Sequence, residues 1–129
     1  MAFAAHLRDV CGLAPDERCA LLAHNSVAYL CASLGAMCVG GVAVHLNWRM
    51  PMATTRTLLE GLAPRVLCTS EGFEADAAAV CTELAASSGG TVRVRVLRLA
   101  HDLPCSPFDA AATARIASSL LAVGCCGEA

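Results

Sequence analysis

VAYLCASLGAMCVGGVAVHL, residues 27–46, decides the fold. The stretch is twenty residues long and uncharged, and no charged residue lies between Arg18 and Arg49. As one helix it would run roughly 30 Å, the thickness of a bilayer's hydrocarbon core. As a helix followed by a strand, it would be the interior of a layered α/β domain, where parallel strands buried on both faces read as continuous apolar runs. Gly40 and Gly41 favour the second reading, because glycine takes the left-handed conformation that ends a helix. The β-branched run VAVHL that follows suits a strand. One arginine on each side gives no charge bias to orient a span. A membrane span at 27–46 remains the competing reading on these grounds.

Outward from that stretch, strands and helices alternate. Residues 3–11 read as the end of a helix stopped by Gly12, and a turn at Ala14-Pro15-Asp16 leads into the strand RCALLAH, 18–24. Asn25 or Ser26 caps the helix that opens the uncharged stretch. After VAVHL comes the polar loop Asn47-Trp48-Arg49, and Pro51 opens a helix at 52–60. RVLCT, 65–69, is an apolar strand. Helix 71–87 begins with Glu71, Glu74 and Asp76, favourable at the positive end of its dipole. TVRVRV alternates, so Val92, Val94 and Val96 are expected inward and Arg93 and Arg95 toward water. Residues 109–122 are expected to form a last, Ala-rich helix. This order predicts an α/β fold, part of a mostly parallel layered sheet with flanking helices.

The totals exclude several functions. The chain has 129 residues, enough for one domain or a piece of one. A net charge of −2 and few aromatic residues argue against a nucleic-acid partner. All nine basic residues are arginine, so neither a Walker-type phosphate loop nor a Schiff-base lysine is complete here. Nine cysteines show no C-x-x-C spacing, and most sit in apolar runs as small hydrophobes. Their odd number and the unsuitability of MAFAAHLRDV as a signal peptide predict a reducing, cytoplasmic setting. Cys125 and Cys126 are expected to belong to an inert tail.

Residues 16–69 carry a resemblance. Asp16 to Ser26 resembles the G-D-R-V-A-L-L-x-x-N-S strand of the AMP-forming acyl-activating enzymes, the acyl-CoA synthetase and ligase superfamily. Leu34 to Gly40 matches the helix ending in K-A-G, Val42 to Arg49 the V-V-P-L-N-x-R strand and loop, and Pro64 to Thr69 the A-x-V-L-x-x-D strand. His24 and His45 stand where the family usually has proline, and Cys38-Val39 replaces Lys-Ala. The resemblance implies a single incomplete domain over 1–129. Residues 6–100 would form the start of an AMP-binding synthetase domain, with 101–129 a C-terminal tail that the resemblance does not assign. It implies that a complete enzyme would use ATP, Mg and CoA to activate a small-molecule carboxylate. The phosphate-binding loop and the C-terminal catalytic lysine are absent, so this chain is expected to be inactive alone. The alternative is a non-enzymatic remnant acting as an interaction module, with self-association through exposed apolar faces.

Among individual residues, the resemblance implies that Arg49 lies near the mouth of the CoA channel, where a guanidinium meets phosphate. No catalytic residue and no metal ligand is expected in this chain. Asn47 is expected to bond to backbone, and His24 and His45, which end successive strands, to be structural. Asp16-Glu17 reads as a solvated turn, Arg93, Arg95 and Arg98 as a solvated strand face, and Ser87-Ser88-Gly89-Gly90 as a helix stop.

Overall fold

The computed structural model describes residues 2–89 and 94–99. The expected helix 109–122, Val92, Arg93, Gly90 and the last three cysteines lie outside the described residues. The elements run α1 (Ala2–Asp9), β1 (Arg18–Leu22), α2 (Val27–Cys38), β2 (Val42–His45), α3 (Met52–Leu62), β3 (Val66–Thr69), α4 (Glu74–Ser87) and β4 (Arg95–Arg98). The four strands form one parallel sheet in the order β2-β1-β3-β4.

The uncharged stretch is therefore helix plus strand. Ser26, not Asn25, caps α2, its hydroxyl accepting from the Tyr29 N–H at 3.1 Å. Gly40, at φ +81°, makes the turn into β2. No helix among the described residues is long and apolar enough to cross a membrane, which removes the span at 27–46.

Alternation along the strands divides the core into two layers. Cys19, Leu21, Val66, Cys68 and Leu97 face α1 and α2, packing on Phe3, Leu7, Ala28, Ala32 and Ala36. Ala20, Leu22 and Leu67 face α3 and α4, against Leu59, Ala77, Val80 and Leu84. Each fully buried leucine contributes about 1.5–3 kcal/mol. α2 meets α1 through small residues, and the approach is close. A Cβ added at Gly35 would lie 2.8 Å from Phe3 Cδ1, so the glycine's cost in helix propensity is offset by packing.

Strand β4 corrects one expectation. Val94 and Val96 do pack toward α3 and α4, but Leu97 and Leu99 are buried on the opposite face. Helices cover both faces of the sheet, so alternation in TVRVRV does not mark a wet side. Arg95 turns under α1 and donates to the Val10 carbonyl, while Arg98 pairs with Glu74 at 2.9 Å. The helix expected at 71–87 starts at Glu74, whose carboxylate accepts from the Gly72 N–H at 2.9 Å in the preceding turn.

The buried thiols of Cys19 and Cys68 lie 3.7 Å apart. Hydrogen bonding to Cys19, and then burial, push the Cys68 thiol well above its ordinary range. The two positions are offset by two residues across adjacent strands, because Cys19 is opposite Val66 and Leu21 opposite Cys68. Strand spacing and rise put their Cα atoms roughly 8 Å apart, beyond the ~7 Å that a disulfide spans without backbone movement. They are packing groups.

Candidate functional site

The chain leaves β1 on one side to make β2, then returns past β1 to make β3. Between β1 and β3 the connections diverge, and open α/β sheets bind ligands at the carboxyl ends of strands around such a point. The loops after β1, β2 and β3 bring together His24, Trp48, Arg49, Ser70 and Phe73.

The Ser70 hydroxyl accepts from the His24 backbone N–H at 3.1 Å and lies 3.4 Å from His24 Nδ1. That bond ties the loop after β1 to the loop after β3, 46 residues away. The His24 ring stands edge-on to Trp48 with centroids 4.5 Å apart, and 5.1 Å from Phe73. Trp48 and Phe73 are 6.5 Å apart and tilted. The Arg49 guanidinium lies over the Trp48 ring, 4.4 Å from its centroid. Such stacking restrains the arginine while leaving its in-plane N–H donors to a ligand. Asn47 does bond to backbone, its Oδ1 accepting from the Arg49 N–H at 3.0 Å and fixing the loop. Below, Thr69 Oγ1 is buried without a hydrogen-bond partner. It shares the β3 face with Leu67, on the side where Trp48 and Phe73 pack. This is a half-buried aromatic cluster at the mouth of the sheet, with one cation stacked on its edge.

His45 is elsewhere. It shares the α2 face of β2 with Ala43, whereas His24 continues the opposite face of β1, so the two histidines do not meet. His45 Nδ1 bonds to the Tyr29 hydroxyl and Nε2 to Ser33 Oγ at 3.2 Å. Burial raises the Tyr29 phenol above its ordinary range, so Tyr29 meets His45 as a neutral hydroxyl. Both partners accept or donate, so the trio serves either tautomer of the imidazole. Among the described residues no group of three His, Cys, Asp or Glu side chains forms a cation cage. Glu17 accepts from the Ala14 N–H at 2.8 Å and Asp16 holds the turn at φ 66°, so this acidic pair is a turn. Ser87 and Ser88 donate to carbonyls of the last turn of α4.

The sequence points to Arg49 and His24 but not to Ser70, Phe73 or Thr69. The run VLCTSEGF reads simply as a strand and a turn. Only the parallel pairing of β3 with β1 shows that its end faces His24.

The family model for AMP-binding enzymes matches residues 1–122. The chain belongs to the AMP-binding enzyme family. No curated protein matches it in sequence. Among solved structures it is similar to ATP-bound MatB from Rhodopseudomonas palustris, at 21% identity and a TM-score of 0.61 over 75% of this chain. It is also similar to a benzoate CoA ligase from Burkholderia xenovorans, at 23% identity and 0.63 over 96%. The N-terminal domain of FACL13 from Mycobacterium tuberculosis is 24% identical, at 0.63 over 92%. At these identities the likeness is one of fold. The chain spans 18% and 21% of the first two proteins and 26% of that N-terminal domain, so it corresponds to a fraction of an AMP-binding enzyme.

Proposed function

We propose that this chain is the N-terminal portion of an AMP-forming acid–CoA ligase, and that its mouth at the ends of β1, β2 and β3 receives the nucleotide end of CoA. The carrying observation is Arg49 stacked on Trp48 at the switch point of the sheet. In this reading Arg49 offers paired N–H donors to a phosphate, and the Trp48 indole beneath it holds the guanidinium in place. ATP and Mg would be held by other parts of a complete enzyme. This chain has no lysine, and its described residues present no carboxylate cluster for the metal. Alone it forms neither adenylate nor thioester. Residues 1–129 act as one incomplete domain, working in the reducing cytoplasm, where its buried thiols stay reduced.

The test is a chimera in which residues 1–99 replace the matching N-terminal part of the Burkholderia xenovorans benzoate CoA ligase. The expected outcome is thioester formation from benzoate, ATP and CoA. Arg49→Ala then raises the KM for CoA about tenfold, the loss of one charge-assisted hydrogen bond, and leaves that for ATP unchanged. An Arg49→Ala chimera with an unaltered KM for CoA would remove Arg49 from the reading. A folded chimera without thioester formation would remove the ligase assignment itself.

A further inference from the structure

We propose that His24 is a second phosphate-binding group of the mouth, donating through Nε2 beside Arg49, and that Ser70 positions it by fixing its tautomer. The ligand class is a terminal phosphate monoester, which in CoA is the 3′-phosphate, and this rests on the CoA reading above. The His24 ring and the Arg49 guanidinium both lie within 4.5 Å of the centre of the Trp48 ring. One indole therefore carries two nitrogen donor groups. Phe73 packs on the His24 ring as well, at 5.1 Å, so the imidazole is held in place before any ligand arrives.

The tautomer follows from the hydrogen bonds around Ser70. That residue is buried, and its Oγ accepts from the His24 backbone N–H at 3.1 Å. The hydroxyl proton then needs an acceptor, and His24 Nδ1, 3.4 Å away, is the one within reach among the described residues. A buried hydroxyl proton without an acceptor would carry the cost of an unmade bond. Nδ1 therefore holds the lone pair, and the neutral ring carries its proton on Nε2. When the ring gains a second proton, Ser70 rotates to accept from Nδ1, and Nε2 is still a donor. His24 thus presents an N–H at Nε2 in either charge state.

That donor finds no acceptor within the fold. Among the described residues Nε2 has no hydrogen-bond partner, and His24 is half-buried. No carboxylate among them pairs with His24 or Arg49, and Glu74 at the start of α4 is taken by Arg98. Two donor groups that face no acid select an anion. A terminal phosphate presents three strong acceptor oxygens, so it can accept from both at once. Thr69 pairs with Leu22 across the strands, and His24 lies two residues on along the same face. Thr69 Oγ1 is buried and also lacks a partner, so polar atoms with bonds to spare gather at this end of the sheet.

The experiment is calorimetric titration of the whole chain at pH 8 with CoA and with dephospho-CoA, which lacks the 3′-phosphate. Nitrogen-15 NMR of the histidine side chains reads the tautomer separately. His24→Phe keeps the packing on Trp48 and Phe73 but removes the donor. It is expected to weaken CoA about tenfold, the loss of one charge-assisted hydrogen bond, and to leave dephospho-CoA unchanged. His24→Gln, whose amide N–H replaces Nε2–H, recovers most of the loss. The NMR spectrum shows His24 protonated on Nε2 in the parent, and a mixture of tautomers in Ser70→Ala. A parent protonated on Nδ1 overturns the proposal, as does a His24→Phe variant that weakens both ligands alike. If Arg49→Ala weakens CoA and His24→Phe does not, His24 drops out and the CoA reading stands. If neither substitution changes CoA binding, or CoA does not bind, both fall.

Discussion

The two ends of the sheet are built on opposite terms. At the amino ends of the strands, arginines are spent on the protein's own backbone. Arg18 donates to the Leu62 carbonyl at the end of α3 at 3.0 Å, and Arg95 to the Val10 carbonyl beyond α1. Arg65 lies against Gly12, where an added Cβ would be 3.0 Å from its guanidinium. Cations at helix carboxyl ends offset the dipole and satisfy last-turn carbonyls, so these residues stabilise the fold. At the carboxyl ends, Arg49 stacks on an aromatic ring, Thr69 keeps a buried hydroxyl unpaired, and two histidines occupy strand ends. Spare chemistry in this fold thus sits at the carboxyl ends of the strands. One end is closed by its cations, and the other holds a cation ready for something else.

The largest effect should come from opening the closed end. Arg95→Ala removes a charge-assisted bond to the Val10 carbonyl and is expected to cost about 1–2 kcal/mol in urea unfolding. A variant as stable as the parent would show that the arginine is merely solvated. At the other end the sign reverses. Thr69→Val removes an orphan hydroxyl at nearly constant volume and is expected to stabilise by about 1 kcal/mol. A loss of stability would mean that the hydroxyl is satisfied in solution and the mouth is less spare than it looks.

A smaller gain is expected where α3 ends. Ala63 caps that helix at φ 42°, in the left-handed region. Ala63→Gly relieves the strain and should raise stability by roughly 0.5–1 kcal/mol, read as a higher Tm. The smallest effect is a pH dependence at the closed end. Burial, and then the Arg95 charge, hold the His6 imidazole below its ordinary 6.5. The folded chain therefore binds this proton less readily than the unfolded chain. Stability from His6 is complete above pH 6.5 and falls as the pH drops through and below that value. His6→Gln should flatten the unfolding midpoint between pH 7 and 5 relative to the parent, and an unchanged slope would rule His6 out as its source.

How much of this was legible in the sequence follows from which signals are local. Gly40-Gly41 and the β-branched run after them pointed to the helix–strand boundary that separates α2 from β2, while the charge-free run alone fitted a span equally well; the acidic start of α4 and Pro51 marked helices within a few residues. Arg95 was misread because period-two alternation assumes one wet face, and this sheet is covered on both. The mouth was half legible. Asn47-Trp48-Arg49 stood out as a polar loop after an apolar strand. Ser70 and Phe73 look like ordinary turn residues, and their meeting with His24 depends on β3 inserting beside β1. The trio of Tyr29, Ser33 and His45 was hidden for a related reason, since it needs α2 to lie back over its own following strand.

Binding of CoA beside Arg49 can be read directly, because Trp48 beneath it is the chain's single tryptophan. Its fluorescence is followed during titration of the chain with CoA, and again with dephospho-CoA, which lacks the 3′-phosphate. Saturable quenching by CoA, weaker binding of dephospho-CoA, and loss of that discrimination in Arg49→Ala are expected. Identical curves for both ligands and both proteins, or no saturable change at all, would contradict binding of CoA beside Arg49.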